Sequence, residues 1–276
     1  LLVAHGDQLY ETSPTAKDTR QAPELDFLYK YLMWHWAMRP LTRRVPTIVL
    51  TDDHDVYQGN LFGEGGVATS DPYLGGYVKS AAWVNLVQRV SSWHNPNRFD
   101  PTPIAQGITV GYAAFTYGGT SFAIVEDRKF KTGPRLPGAA DPHLLGARQE
   151  AFLAKWAGMH AGQPKVLLTG TTWACVQTNV DGLPRQDPDS NGWPPKGRAR
   201  AVRLAGEARA LIVSGDQHLG HLIRHGMSGF ADGPLQFTPP AGSTSFQRWF
   251  QPAAALPNDT GTPHTGDFTA AFGNRF

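Results

Sequence analysis

Three short apolar runs in this chain each end abruptly in carboxylates and imidazoles. Leu1-Leu2-Val3-Ala4 runs into His5-Gly6-Asp7-Gln8-Leu9-Tyr10, Thr47-Ile48-Val49-Leu50 into Asp52-Asp53-His54-Asp55, and Ala210-Leu211-Ile212-Val213 into Gly215-Asp216-Gln217-His218. Runs of this length and make-up read as buried strands, so the charges sit where each strand emerges. Three such ends predict one site at the edge of a sheet. Asp52 to Asp55 is the densest group, and so much negative charge beside a buried strand is costly unless something positive offsets it. A bound metal ion does so.

Between these strands the pattern alternates. Glu24 to Met38 carries Leu25, Phe27, Leu28, Tyr31, Leu32 and Trp34 at helical spacing, and Pro40 is expected to end that helix. Val45 to Leu50 is the second strand. Ser80 to Val90 reads as a helix through Trp83, Val84, Leu86, Val87 and Val90, and Trp93 to Thr102 as a loop. Ile108 to Tyr117 and Thr120 to Val125 read as paired strands turning at Gly118-Gly119. Helices are predicted over His143 to Met159 and Arg198 to Ala208, and strands over Lys165 to Leu168 and Ala210 to Val213. Gln177 to Gly197 reads as an irregular insertion, and loops and short strands follow His221. The expectation is one α/β domain over residues 1–276, with a mixed sheet and loop insertions. Because the chain begins inside an apolar run, a strand or strands before Leu1 are expected too.

Composition narrows the function classes. With 276 residues, 41% hydrophobic and 11% aromatic, a sizeable core is available. Charged residues make up only 17% and the net charge is +2, without a basic run, which argues against specific nucleic-acid binding through a broad basic face. No stretch approaches the ~20 apolar residues of a membrane span. The single cysteine, Cys175, excludes an intramolecular disulfide and, between Trp173 and Val176, reads as buried. There is no Gly-x-Ser-x-Gly elbow and no phosphate-binding Gly-Lys-Ser/Thr loop.

The candidate ligands have bland alternatives. Asp7 follows a glycine that lets the chain turn its carboxylate into a cleft, yet an Asp there also caps turns. The Tyr10 phenol can ligate a ferric ion, or serve as a core or hydrogen-bonding residue. Asp52 and His54, or Asp53 and Asp55, face together in extended chain unless a turn intervenes. Asp216 and His218 repeat the strand-Gly-Asp pattern. Carboxylates with an imidazole suit Zn, Fe or Mn, and carboxylates alone Ca or Mg. His221 and His225 are expected on a strand or loop near the rim. Asn60 is expected to cap a turn. Arg128 and Arg148 serve either substrate charge or structural ion pairs. Asp187, Asp189 and Asn191 alternate like the start of a calcium loop but lack a following glutamate at the needed distance, so a solvated turn is expected.

The runs Gly6-Asp7-Gln8-Leu9-Tyr10-Glu11, Asp52-Asp53-His54-Asp55, Gly146-Ala147-Arg148-Gln149-Glu150 and Ser214-Gly215-Asp216-Gln217-His218, with Phe115-Thr116-Tyr117-Gly118 and Glu126-Asp127-Arg128 between them, resemble the PhoD-like alkaline phosphatases of the calcineurin-like metallophosphoesterase superfamily. The likeness spans roughly residues 1–220. It implies a β-sandwich of mixed sheets flanked by helices, with metals at the carboxyl ends of strands. By position it implies Asp7 bridging two metals, Asp53 and Asp216 on the second, His218 on the first and Tyr10 on iron; Asp52, from the same acidic run, is expected as a further metal ligand. It also implies that His54 contacts phosphate and protonates the leaving group, and His54 and Asp53 are the expected catalytic residues. The metals implied are iron plus calcium, with Zn, Mn or Mg as alternatives, the partner a small-molecule phosphate ester, and the location outside the cytoplasm. Two departures stand out. The Asp-x-His motif that opens the superfamily's site would lie before Leu1, and Lys165 to Thr171 holds no His. The functional expectation is hydrolysis of phosphomonoesters or phosphodiesters; the alternatives are a binding protein on the same fold without turnover and a calcium-stabilised module. Oligomeric state is left open.

Overall fold

The computed structural model describes residues 1–11, 22–229, 232–242 and 248–251. Strands β1 (Leu2–Ala4) and β2 (Thr47–Val49) pair in parallel as a small sheet. Strands β3 (Ala113–Tyr117), β4 (Thr120–Ile124), β5 (Lys165–Leu168), β6 (Ala210–Val213), β7 (His221–Arg224) and β8 (Leu235–Thr238) form a second sheet in the order β3-β4-β5-β6-β8-β7. Its four central strands are parallel and its two edge strands antiparallel.

Alternation along the central strands builds both faces of this sheet. Phe122, Ile124, Val166, Leu168 and Val213 pack with Leu1, Val3, Ile48 and Leu50 of the small sheet, making a sandwich. Their neighbours Ala123, Leu167, Ala210 and Ile212 face the other way, onto Phe152, Leu153 and Trp156 of helix α4 (Gly146–Gly158) and Ala201, Val202 and Ala205 of helix α5 (Pro195–Glu207). Trp156 is fully buried and its indole N–H donates to the Ser121 hydroxyl at 3.0 Å, so the one polar side chain on that face of β4 is satisfied. The fold is thus a mixed α/β sandwich flanked by helices, as the sequence led us to expect.

Two further helices, α1 (Pro23–Thr42) and α2 (Ala81–Ser92), pack Phe27, Tyr31, Trp83, Val84 and Val87 under the loop that follows β2. Ser80 caps α2 by accepting from the Trp83 N–H, and the Trp83 indole donates to the Val56 carbonyl at 2.8 Å, pinning the turn beyond the acidic run.

Some boundaries differ from the sequence reading. α1 passes through Pro40 instead of stopping before it, because a proline in the last turn deletes one hydrogen bond on an exposed surface and the Arg43 N–H still closes on the Arg39 carbonyl. Residues 108–112 are extended and alternately buried but are not strand. The Thr109 N–H donates to Asn85 and the Gly111 N–H to Glu126, so side chains take the place of a partner strand. A short helix, α3 (Asp127–Phe130), follows β4.

Candidate functional site

The carboxyl ends of β1, β2, β4, β5 and β6 meet at one edge of the sandwich. The His5 ring bonds the Thr169 carbonyl, the Gly215 N–H donates to the Gly170 carbonyl, and Gly6 lies directly against Asp52. A Cβ on Gly6 would stand 2.4 Å from the Asp52 Cβ, and its φ of +101° is one that other residues resist, so this close approach needs glycine. Asp7 and Asp216, each the residue after a glycine, both occupy the left-handed region at φ 54° and 67°. Asp tolerates that region better than most residues, at a cost of order 1 kcal/mol. Two strand ends thus present their aspartates by the same strained turn.

One ligand atom each from Asp7, Asp52, Asp53 and Asp216 lies within 4.8 Å of the others, as do atoms of Asp7, Asp53 and His54. Asp7 Oδ1, Asp52 Oδ2 and Asp216 Oδ2 are buried without a hydrogen-bond partner. Burial, then the charges of Asp53, Asp52, Asp55 and Asp216, push the Asp7 carboxyl well above its ordinary pKa. Burial also raises Asp52, against the opposing pull of Arg128, and raises Asp216 to about 7. Convergent carboxylate oxygens without partners are what a hard or borderline cation requires, and the cluster could hold such an ion.

Arg128, at the start of α3, offsets part of this charge. Its buried guanidinium pairs with Asp52 Oδ1, with Asp53 Oδ1 at 3.5 Å, with Asp216 Oδ1 at 2.9 Å, and with Asp189. It takes the Oδ1 atoms of Asp52 and Asp216 and leaves their Oδ2 atoms orphaned. Asp189 comes from the long insertion and is buried, and its backbone carbonyl accepts from Lys131. The solvated turn expected at Asp187 to Asn191 is therefore wrong at its centre: Asn191 is buried too, accepting from Gln217 at 3.0 Å. Arg148 lies elsewhere, paired with Asp100 at 2.7 Å.

Asp55 organises the strand ends. A 3₁₀ turn at His54–Val56 breaks the alternation, so its side chain points back and one carboxylate oxygen accepts both the Asp7 N–H and the Asp52 N–H at 2.9 Å each. Burial, partly offset by these bonds, raises Asp55 to about 7. Asp53 caps the turn, accepting from the His54 N–H at 3.0 Å and the Asn60 N–H at 2.6 Å. Asn60 serves this turn through its backbone.

Above the acids sit Tyr10, His54 and His218. The Tyr10 hydroxyl donates to Asp7 Oδ2 at 2.8 Å and lies 3.2 Å from His218 Nε2. Its ring stacks on His54 with centroids 4.2 Å apart. Burial and then Asp7 push the phenol pKa up. His54 Nδ1 bonds Glu11 at 2.8 Å; burial alone would lower its pKa, but Glu11, Asp53 and Asp216 outweigh it and the net shift is upward. His218 joins the cluster through Tyr10. His221, partly buried, and His225, fully buried with Arg198 and Gln236, lie in a separate network under β8, not at a rim. Cys175 is buried and its thiol pushed up to about 12.

The sequence alone left Arg128 open between substrate charge and a structural ion pair and set Asp189 in a solvated turn, without placing either among the acids. Arg128 had a usable signal, since Glu126-Asp127-Arg128 also follows an apolar strand. Nothing local signalled that Asp189 would reach this site, because an irregular insertion carries it in from far along the chain.

No protein-family model matches the chain, and no curated protein matches it by sequence. Among solved structures it is similar to one described as the structure of PhoD, with a TM-score of 0.63 and 18% identity, over 87% of this chain and 50% of that one. The chain spans half the length of that protein, and at this identity the likeness speaks for the fold.

Proposed function

We propose that this chain is a metal-dependent phosphoesterase, with residues 1–276 as a single catalytic domain. The observation that carries the proposal is the gathering of Asp7, Asp52, Asp53 and Asp216 at the carboxyl edge of a sandwich of this fold, with three of their oxygens buried and unpartnered. Asp7, Asp53 and Asp216, with Asp52 beside them and His218 and Tyr10 above, would hold one or two cations, iron and calcium being the assignment that the sequence resemblance favours. Such ions, when bound, supply Lewis acidity to a phosphoryl oxygen and make water a better nucleophile at neutral pH.

The protein's own groups would do the rest. His54, held by Glu11 and stacked on Tyr10, is biased toward the protonated form and so is suited to donate a proton to a departing alkoxide, a contribution of about 10²–10⁴-fold. Its hydrogen bond to Glu11 engages Nδ1, which leaves Nε2 as the donor to substrate. The Tyr10 hydroxyl orients Asp7 and neighbours His218. Asp55 keeps the two strand ends in register. The buried Arg128 limits mutual repulsion among the acids, so that the cluster persists at neutral pH.

The experiment is metal analysis of the purified chain, joined to hydrolysis of p-nitrophenyl phosphate and bis-p-nitrophenyl phosphate. Bound metal and turnover of either ester are expected, and Asp7→Asn should lose both together. A wild-type chain that binds metal stoichiometrically but hydrolyses neither ester would favour a binding protein instead. Full turnover by Asp7→Asn would refute the assignment of the site.

A further inference from the structure

Helix α1 carries apolar side chains on two faces. One side packs Phe27 and Tyr31 into the core, while the other exposes Leu25, Leu28, Leu32 and Trp36 as a stripe at helical spacing, about 16 Å long. Leu32 is 60% and Trp36 69% exposed, with Met33 exposed beside them. Across an open groove of about 620 Å³, lined by Leu28, Leu32, His35, Arg89 and Val90, stands Trp93, 75% exposed at the end of α2. Core packing has no use for these side chains on the outside, and a contiguous apolar surface of this kind marks a binding face.

Beyond Glu24 in the first turn, the charges around it are positive. The stripe runs on into Arg39 and Arg43, with Arg44 next, and Arg89 lines the groove. The Arg39 guanidinium lies 5.9 Å from the Trp36 ring centroid. The acids of α1, exposed Glu24 and buried Asp26, lie in its first turn, whereas residues 27–51 and 72–99, which supply the rest of α1, α2 and their flanks, contain no Asp or Glu. A second copy paired through Trp36 and the C-terminal turns would set arginine against arginine. Nucleic acid would match the charge but not the aliphatic Leu25, Leu28, Leu32 and Met33, which offer no stacking surface. Leu and Trp side chains ringed by arginines match the headgroup and acyl boundary of a bilayer carrying anionic phospholipid, where Trp and Arg side chains hold an apolar body inward and a polar tip in the headgroups.

We infer that the outer face of α1, with Trp93, docks the protein peripherally on an anionic phospholipid membrane. Lys30, on the opposite side of the helix, donates to the Tyr10 carbonyl, so the site loop lies on the side turned away from the lipid. This inference rests on surface chemistry alone and stands whether or not the site is catalytic.

The test is co-sedimentation of the intact chain with vesicles of phosphatidylcholine, alone or containing phosphatidylglycerol. Binding is expected to be at least about tenfold stronger on the anionic vesicles, to weaken with salt, and to shift Trp emission to the blue. Leu32→Glu with Trp36→Glu should lower binding about tenfold with an unchanged circular dichroism spectrum. Arg43→Glu with Arg44→Glu, fully on the surface, should remove the preference for anionic lipid. Equal binding to both vesicle types, or binding untouched by either double variant, would overturn the inference. So would a concentration-dependent dimer that Leu32→Glu dissociates, or retention on single-stranded oligonucleotide in place of vesicles.

Discussion

Asp55 is the sharpest place to test how this site is built, because it orders the cluster without being one of its convergent ligands. One of its carboxylate oxygens holds the backbone N–H groups of Asp7 and Asp52, the residues that must present their side chains together. Asp55→Ala leaves two buried N–H groups without a partner, at about 1–3 kcal/mol each. The expected loss is therefore about 4 kcal/mol, a fall in melting temperature of roughly 10 °C for a chain of this size. Asp55→Asn keeps an oxygen in the accepting position and removes only the charge, so its cost should stay within about 2 kcal/mol. Metal affinity should follow the same order: a group that orients first ligands typically alters affinity about 10–100-fold, and Asp55→Ala should reach the upper end while Asp55→Asn stays near the lower. Thermal unfolding with and without chelator, and calorimetric titration with Ca²⁺ or Mn²⁺, measure both quantities. If Ala and Asn cost the same, or Ala costs less than about 1 kcal/mol, the two strand ends are held by something else and the role given to Asp55 is wrong.

Gly6→Ala should be worse for the site than for the fold. The new methyl would collide with the Asp52 Cβ in a backbone conformation alanine resists, so metal binding should fall below detection in a titration while the far-ultraviolet spectrum is retained. Asp55 and Asp216 both have pKa values raised to about 7, so the folded, chelated protein holds protons that the unfolded chain has already released at neutral pH. Stability should therefore fall by about 1–2 kcal/mol as pH rises from about 6.5 to 8, and saturating divalent cation should flatten that slope; a chelated protein that gains stability over this window would contradict the burial of these acids. Cys175, buried with its thiol pushed up to about 12, should resist iodoacetamide at pH 8 until denaturant is added, and rapid native alkylation would place it elsewhere.

What the chain determines by itself is the pattern of its strands and where they end. Apolar runs of four residues closed by Gly-Asp or by Asp-Asp-His-Asp have few ways to satisfy both halves: the run must be covered and the charge must emerge. That requirement alone pointed to a sheet edge and to Asp7, Asp52, Asp53 and Asp216, while the sandwich with helices outside it was implied by the resemblance to a known superfamily. Tertiary structure decided the rest, because it depends on groups remote in sequence. Only folding brings Asp189 to Arg128 across 61 residues, turns Asp55 back onto two N–H groups, and links His218 to Asp7 through Tyr10. It also decided that the segment before β3 stays out of the sheet, since Asn85 and Glu126 reach its N–H groups first. Periodicity reports which residues seek burial, but which buried charge finds which partner is settled by distances that no local pattern encodes.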